Sequence, residues 1–334
     1  MAGETAISRT YGFLTTLTGP AVMKEIFDVI TANIPTIHHF LDEDAEESEG
    51  GDAIRFNLFK EIIPGTGAGR TQPVAADYIT PWTVAEYQYK FLYVPALLPK
   101  QDLILNDAAD QAAGGNRLGS LVAGSTTAML RSMFTLLGGS VRGIWTVGVS
   151  DEGDKTRLTG IPSLVKSSGA ATGTTASVSR TNAWWQNIVT AAITSFATNG
   201  RARIANGLLQ AKRGGDFPNL GITNLTGFEN YLALFTATTQ MNFPVSGDRF
   251  DVGVPNVALY GLRVFPDDNA PDNEFRTLNT SYLMLKLLRG HYLEFSPAME
   301  VSGKDDVEIR LRFAGNLVSP WLNAHACTTG SDTA

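Results

Sequence analysis

The residues that could do chemistry in this sequence are few and poorly spaced for it. The stretch PGTGAGRT has the glycine content of a phosphate-binding loop, but it lacks the lysine and the following serine or threonine, and it runs into Pro73 instead of a helix. Neither the G-x-S-x-G turn of a serine hydrolase nor the H-E-x-x-H pair of a zinc protease occurs. The sequence therefore predicts a hairpin tip at PGTGAGRT and no nucleotide site.

The histidines and the cysteine offer little for metal binding or nucleophilic catalysis. His38 and His39 are adjacent, and His291 and His325 are isolated, so no pair has the i, i+4 spacing that places two ligands on one helix face. Cys327 is the only cysteine, which excludes an internal disulfide, and no pattern places a base beside it. We therefore predict no enzyme activity, no cofactor and no metal. A cytosolic α/β enzyme is a weaker alternative, because no catalytic constellation is visible.

The acidic residues are concentrated in one segment. The net charge is −7, and seven acids stand without a base in LDEDAEESEGGD at 41–52; the other 26 acids equal the 26 lysines and arginines. A chain without a basic excess is a poor candidate for wrapping nucleic acid through its phosphates, so any contact with DNA should be weak. We expect the segment to be a solvated loop. Calcium binding is a minor alternative, because the EF-hand glycine and spacing are missing.

Two adjacent tryptophans, Trp184 and Trp185, are difficult to pack against the same surface. Consecutive side chains point in different directions on a strand or a helix, so a single core cannot easily take both rings. Trp185 shares helical spacing with Ile188 and Phe196 in a predicted helix that ends at Gly200. We expect one tryptophan to fill the core and the other to cover a second surface.

The elements that must position these residues begin with a helix, a hairpin and a longer helix. A short amphipathic helix is predicted over 21–35, ended by Pro35. AIRFNLFKEI and WTVAEYQYKFLYV alternate with period two around a tip rich in Gly and Pro, which predicts a long hairpin. Its aromatic face, Tyr87 to Tyr93, should lie against another sheet or a neighbouring subunit, with Lys90 on the polar face. A glycine- and alanine-rich helix follows from Asn116 to Leu137.

The rest of the chain predicts a mixed α and β domain. Residues 168–179 indicate a flexible stretch, and a helix is predicted in ARIANGLLQAKR. FPNLGITN predicts a buried strand and TGFENYLALFTA a helix. Further strands are predicted in VALYGLRVFPD, SYLMLKLL and VEIRLRFAGNLV, with an exposed loop at 266–279. The basic group Arg201, Arg203, Lys212 and Arg213 is interpreted as a solvated helix edge, with contact to phosphate or to an acidic partner as the alternative.

No feature of the sequence indicates export or membrane insertion. The first residues lack the basic flank and continuous apolar core of a signal peptide, and no uncharged apolar run is long enough to span a bilayer. A single cysteine fits a reducing cytosol. We therefore expect no membrane partner.

The order of these parts resembles the major capsid proteins of tailed bacteriophages. The closest local similarity lies in TRLTGIPSLVKSSG followed by SRTNAWWQN, which is similar to the glycine-led segment and Arg/Asn/Trp-Trp box of one phage capsid branch. The resemblance implies an α+β chain with the Hong Kong 97-type fold. It implies an N-terminal arm at 1–50, an E-loop hairpin at 51–98, a P-domain with spine helix at 99–154, an A-domain at 155–300, a P-domain return strand at 301–318 and a C-terminal segment at 319–334.

The resemblance also implies a function and partners. The chain would be a non-catalytic shell protein that assembles with itself into hexamers and pentamers around double-stranded phage DNA, in an icosahedral or prolate head. A separate scaffolding protein, a portal and decoration proteins would be its partners, with the host cytoplasm as the site of assembly and the virion as its destination. An encapsulin-like compartment of the same fold is the alternative. The subunit-contact candidates are Tyr87, Tyr89, Phe91, Tyr93, Arg70, Asp42, Glu43, Asp44, Arg180, Trp184 and Trp185.

Overall fold

A computed structural model describes residues 35–42, 45–61, 80–104, 118–148, 154–233, 257–259, 261–301 and 303–333. The described helices are α1 (Pro35–Asp42), α2 (Leu118–Gly138), α3 (Ile161–Leu164), α4 (Arg201–Ala211) and α5 (Leu225–Ala233). The strands are β1 (Ala45–Ser48), β2 (Ala53–Phe59), β3 (Trp82–Gln88), β4 (Lys90–Pro99), β5 (Thr174–Thr175), β6 (Val178–Ser179), β7 (Ile188–Thr190), β8 (Leu220–Thr223), β9 (Val257–Leu259), β10 (Leu262–Pro266), β11 (Glu274–Leu278), β12 (Met284–Leu288), β13 (Glu294–Phe295), β14 (Met299–Glu300), β15 (Asp306–Val318) and β16 (Ala326–Thr329). The chain forms two compact units.

The first unit contains Phe91–Leu136 and Gly290–Ala314 among the described residues. The first part of β15 pairs antiparallel with β13 and β14, and β4 also pairs with β15. Helix α2 confirms the predicted long helix, and Met129 and Met133, one turn apart, are buried on one face. Lys100 Nζ lies 2.6 Å from Glu300 and 3.6 Å from Asp305, an exposed charge cluster at the end of β4.

The second unit, Asn33–Lys90, Leu137–Arg289 and Gly315–Ala334, is built on a six-stranded sheet. Its strand order is β7-β16-β11-β8-β10-β9, with parallel pairs β7/β16 and β8/β10 and antiparallel pairs elsewhere. β8 is buried along its whole length, as its apolar run predicted. A core lies between this sheet and the helices, and it comprises Ile193, Phe196, Ile204, Leu208, Phe228, Tyr231, Leu262, Val264 and Phe275.

Gly330, directly after β16, occupies a position that requires glycine. Gly330 has φ +91°, and a Cβ on it would lie 2.1 Å from the carbonyl oxygen of Ile193. A side chain is therefore excluded twice, by backbone conformation and by contact. The close approach lets the Ile193 N–H donate to Thr329 O at 2.8 Å, which ties the end of β16 to the segment after β7.

The acidic segment is partly a strand, so the prediction of a solvated loop was wrong for Ala45–Ser48. These residues form β1, which pairs in parallel with β12, and β12 pairs with the last residues of β15. Pairing with β12 provides hydrogen bonds for backbone N–H and C=O groups of β1, and Glu46 forms an ion pair with Lys286 of β12. Cross-strand pairing with a basic neighbour overcame the local preference of an acidic run for solvent.

Several predicted elements differ in the structure. The helix predicted over 21–35 falls largely outside the described residues, and Pro35 begins α1 instead of ending a helix, as proline at a first helical position often does. The helix predicted from Trp185 to Gly200 is wrong: a 3₁₀ turn, Ala183–Trp185, leads into β7, and a π-helical turn follows at Phe196–Gly200. The stretch 168–179 contains the β5–β6 hairpin, and the predicted loop at 266–279 contains buried β11. For β5–β6, β7 and β11, pairing in a sheet overrode the local sequence pattern.

Candidate functional site

The exposed aromatic pair lies at the distal end of the β2–β3 hairpin. Phe59 pairs with Trp82 across the strands, with ring centroids 5.0 Å apart in an edge-to-face arrangement. Their side chains are 55% and 64% exposed, whereas Ile54 and Ala85, nearer the base, are buried. Large exposed aromatic side chains that adjoin one another are characteristic of interaction surfaces.

An aromatic groove of about 360 Å³ adjoins this pair. It is lined by Asn57, Leu58, Phe59, Trp184, Trp185, Tyr282, Pro320 and Trp321. Tyr282 and Trp321 meet edge to face with ring centroids 5.2 Å apart, and Trp321 is 39% exposed. The groove therefore extends the exposed aromatic surface of the hairpin onto the body of the second unit.

Trp184 and Trp185 have different environments, as predicted. Trp185 is buried and donates its indole N–H to Thr175 O at 3.0 Å. Trp184 is only partly buried and lies in the groove, with its ring centroid 5.8 Å from that of Trp185. The 3₁₀ turn that holds them separates successive side chains by about 120°, which sends the two rings to different surfaces.

Arg180 holds this turn in place from inside the unit. It is fully buried, and its guanidinium donates to Thr175 Oγ1 at 2.7 Å, to Asn187 Oδ1 at 3.0 Å, and to the carbonyls of Ser163 and Leu164. The bonds join α3, the β5–β6 hairpin and the start of β7. Arg180 was predicted to fix a domain junction or to face a neighbour; instead it packs within the second unit, where these acceptors surround its planar donors.

The aromatic face of the hairpin was predicted to lie against another sheet or a neighbouring subunit, with Tyr87 and Tyr89 among the subunit-contact candidates; at the base of the hairpin this chain itself covers both side chains. Tyr87 is fully buried and donates to Ser319 O at 2.7 Å, and Tyr89, also buried, shares a hydrogen bond with Ser48. The antiparallel hairpin ends at Gln88, and Lys90, expected on the polar face, is buried with its ammonium donating to Asp154 O at 2.6 Å. The strand is interrupted at Tyr89, so the side chains after Tyr89 alternate in the opposite phase from the one that period two predicts.

Phe91 and Tyr93 belong to β4 in the first unit. Phe91 is partly buried, and Tyr93 is 49% exposed with the Arg312 guanidinium 5.8 Å from its ring centroid. The Glu294 carboxylate lies 3.8 Å from the same guanidinium. Of the three tyrosines predicted as subunit contacts, Tyr93 therefore keeps a large exposed area, and the Arg312 guanidinium lies against one side of its ring.

The predicted acidic and basic contacts are described only in part. Glu43, Asp44 and Arg70, and the side chain of Asp42, lie outside the described residues. The basic group lies on and after α4, where the Lys212 ammonium is 4.6 Å from the Phe217 ring centroid. Such an exposed pair is typical of a solvated surface.

Sequence reasoning missed Phe59, Trp82, Tyr282 and Trp321. Phe59 breaks the alternation of β2, and Trp82 begins β3 directly after the Gly- and Pro-rich tip. Two aromatic residues that flank a hairpin tip in matched positions are a usable signal, since antiparallel pairing brings them together. No comparable signal joins Tyr282 and Trp321, which only the tertiary fold brings into contact.

His325 lies at the centre of a buried polar network beneath the hairpin. Its Nδ1 accepts the Asn279 N–H at 3.1 Å, and its Nε2 lies 3.1 Å from Ser319 Oγ. Ser319 also accepts the Tyr87 hydroxyl through its carbonyl. Burial lowers the pKa of His325 to about 4, so the imidazole is neutral at neutral pH.

The described residues do not assemble a reactive centre of a familiar kind. No group of three or more His, Cys, Asp or Glu among them is placed to hold a metal ion. Cys327 is buried, and burial raises the pKa of its thiol to about 12, so it is protonated at neutral pH. No helix in the described part of the chain is both long enough and apolar enough to cross a membrane.

Comparisons with known proteins identify solved structures with a similar fold. No protein-family model and no curated protein matches the sequence. Among solved structures, the capsid asymmetric unit of cyanophage A-1(L) is 16% identical with a TM-score of 0.66, over 93% of this chain and 95% of that one. The capsid of a native GTA particle is 11% identical with a TM-score of 0.57, over 98% and 99%.

A holo-SrpI encapsulin complex from Synechococcus elongatus is also similar, at 12% identity and a TM-score of 0.50 over 99% of this chain and 96% of that one. These similarities extend over nearly the whole of each chain, so they concern the complete architecture and not a shared fragment. As the order of its elements predicted, the chain has the α+β Hong Kong 97-type capsid fold.

Proposed function

We propose that this protein is the major capsid protein of a tailed bacteriophage, which assembles with copies of itself into hexamers and pentamers around packaged double-stranded DNA. The observation that carries the proposal is the similarity to the cyanophage capsid subunit over 93% of this chain and 95% of that one. A protein of this kind works through repeated contacts between subunits, and we propose no catalysis and no cofactor for it.

We assign subunit contacts to the exposed aromatic surfaces. The Phe59–Trp82 pair and the aromatic groove, which includes Trp184, expose apolar area that a neighbouring copy would cover. Phe91 and Tyr93 on β4 are further candidates, as are Arg70, Asp42, Glu43 and Asp44. In this assignment the β2–β3 hairpin belongs to the E-loop, α2 is the spine helix of the P-domain, and the six-stranded sheet lies in the A-domain.

The same proposal implies other partners. A separate scaffolding protein, a portal and decoration proteins would act with this chain, which would assemble in the host cytoplasm and become part of the virion. Contact with the packaged DNA should be weak and non-specific, because the net charge of −7 leaves no basic excess.

The test is the assembly state of the purified full-length chain. Size-exclusion chromatography with light scattering and negative-stain microscopy should show closed shells, tubes or ring-shaped capsomers. Trp82→Ser should reduce the assembled fraction, while Leu209→Ser, a matched change at a 65% exposed residue of α4, should not. A wild-type chain that stays monomeric at every concentration and salt condition tried, with scaffolding present or absent, would contradict the proposal.

An encapsulin-like compartment is the second candidate, favoured by the similarity to the SrpI complex. The contents of particles isolated from the native source separate the two functions. Packaged double-stranded DNA, measured by absorbance ratio and nuclease protection, supports the capsid. A stoichiometric cargo protein in particles that lack nucleic acid, identified by mass spectrometry, supports the compartment.

A further inference from the structure

A polar pocket of about 410 Å³ lies in the second unit and shares no lining residue with the aromatic groove. One wall is formed by α3 and the segment that leads into β5, and the other by Pro271 and the start of β11. Its volume lies within the range of small-molecule sites, about 300 to 1,000 Å³. None of the subunit contacts proposed above includes a residue that lines this pocket.

The charged residues that line the pocket are Lys166, Glu274 and Arg276. Glu274 forms an ion pair with Arg276, whose side chain is buried, so these two charges compensate one another. The ammonium of Lys166 is left as the excess charge of the pocket. Burial, together with repulsion from the Arg180 guanidinium, lowers the pKa of Lys166, which means that its charge is incompletely compensated.

Further hydrogen-bond donors line the same pocket as that ammonium. Lys166 Nζ donates to Thr172 O at 2.8 Å, which leaves two of its three N–H groups for another acceptor. The hydroxyls of Ser167, Ser168 and Thr174 line the same pocket, and none of them bonds to another residue in the described part of the chain. These groups together form a donor-rich site with a positive charge.

A glycine keeps the ammonium accessible. Gly173 has φ +84°, and a Cβ on it would lie 3.5 Å from Lys166 Nζ. A longer side chain at this position would extend over the ammonium and occupy the pocket. The positive φ also disfavours any other residue there.

We propose that this pocket binds a small phosphate-bearing anion, with the phosphate held by the Lys166 ammonium and the hydroxyls of Ser168 and Thr174. A phosphate group accepts several hydrogen bonds, and its negative charge would compensate the positive charge of the Lys166 ammonium. Val147, Pro162 and Pro271 supply apolar wall for the organic part of a phosphate ester. The proposal does not depend on assembly, since every lining residue belongs to one unit of one chain.

The test is calorimetric titration of inorganic phosphate into the full-length wild-type chain, in chloride buffer at constant ionic strength. We expect saturable binding that weakens at least tenfold in Lys166→Gln, because a charge-assisted hydrogen bond is lost. Lys155→Gln, a matched change at an exposed lysine, should bind as wild type does. Thr174→Val provides an independent test if Lys166→Gln does not fold, and it should also weaken binding.

Three outcomes would overturn the proposal. The first is no saturable binding of phosphate by the wild-type chain. The second is equal binding by wild type, Lys166→Gln and Thr174→Val, which would place the anion elsewhere. The third is that a short DNA duplex binds through Lys166 while inorganic phosphate does not, which would assign the pocket to a nucleic-acid backbone instead of a small ligand.

Discussion

Acidification should destabilise the second unit through His325. The imidazole is fully buried, its Nδ1 accepts the backbone N–H of Asn279, and its Nε2 proton points to Ser319 Oγ in the neutral tautomer. Protonation of Nδ1 would place two N–H donors against each other and put a charge in a site from which water is excluded. The folded state therefore favours the neutral ring.

The magnitude follows from the interval between the two pKa values. Burial lowers the pKa of His325 from 6.5 to about 4, and each pH unit of that interval corresponds to about 1.4 kcal/mol, so about 3 kcal/mol is involved. Because the folded pKa is the lower one, the unfolded chain binds the proton first. The stability contributed by the neutral ring is complete above pH 6.5 and is lost as the pH falls from 6.5 to about 4.

The measurement is the free energy of unfolding by urea at pH 7, 6, 5 and 4, for unassembled wild-type chain and for His325→Asn. The asparagine oxygen can accept the Asn279 N–H but does not titrate, so the variant removes this pH dependence while other groups keep theirs. The stability advantage of the wild type over the variant should shrink by about 3 kcal/mol between pH 7 and pH 4. His291→Asn, a change at an exposed histidine, is the control, and this variant should keep the loss of stability that His325 causes.

A constant difference between wild type and His325→Asn over this pH range would refute the reasoning. It would mean either that His325 has the same proton affinity in both states or that a local opening lets water reach the ring. Amide exchange at Asn279 separates these two explanations, because opening would expose its N–H.

Trp185→Ala should lower the free energy of unfolding by about 3 to 5 kcal/mol, measured in urea, whereas Trp184→Ala should reduce the yield of assembled particles; equal losses of monomer stability would contradict this division. Arg180→Lys should destabilise the chain by about 3 kcal/mol or more, because a lysine cannot reproduce the planar donors of a buried guanidinium, and an unchanged melting temperature would show the network to be dispensable. Cys327 should resist a thiol reagent in the native chain and react in urea, since burial raises the pKa of its thiol to about 12; rapid native labelling would contradict its burial.

Elements with strong periodicity were predictable from the sequence. The apolar stripe of α2, the apolar run of β8 and the alternating apolar residues of β12 and β15 each predict the element from the local sequence alone. The order of these elements was enough to predict the fold. Of the site, the different environments of Trp184 and Trp185 were predictable, because no single surface takes two adjacent rings.

The wrong predictions for the hairpin tyrosines and Lys90 have a common physical origin in β3 and β4. Period two predicts that Tyr87, Tyr89 and Tyr93 share one face only if the strand is continuous. The strand is interrupted at Tyr89, and the next residues change phase by one position, so Lys90 is buried and Tyr93 is exposed. A break of this kind depends on the partners of each strand, which are distant in sequence and leave no local signal.

With Tyr87 and Tyr89 buried at the base of the hairpin, the exposed aromatic surface of the hairpin lies at its distal end, in Phe59 and Trp82. At roughly 200 Å² for each large aromatic side chain, the exposed parts of Phe59 and Trp82 amount to about 240 Å², or on the order of 6 kcal/mol for each subunit at 25 cal/mol per Å². Lost translational and rotational freedom offsets a comparable amount on association, so this pair alone cannot hold two copies together. In the proposed shell each copy must therefore use several such surfaces at once, and the aromatic groove beside the pair is the nearest one that the second unit provides.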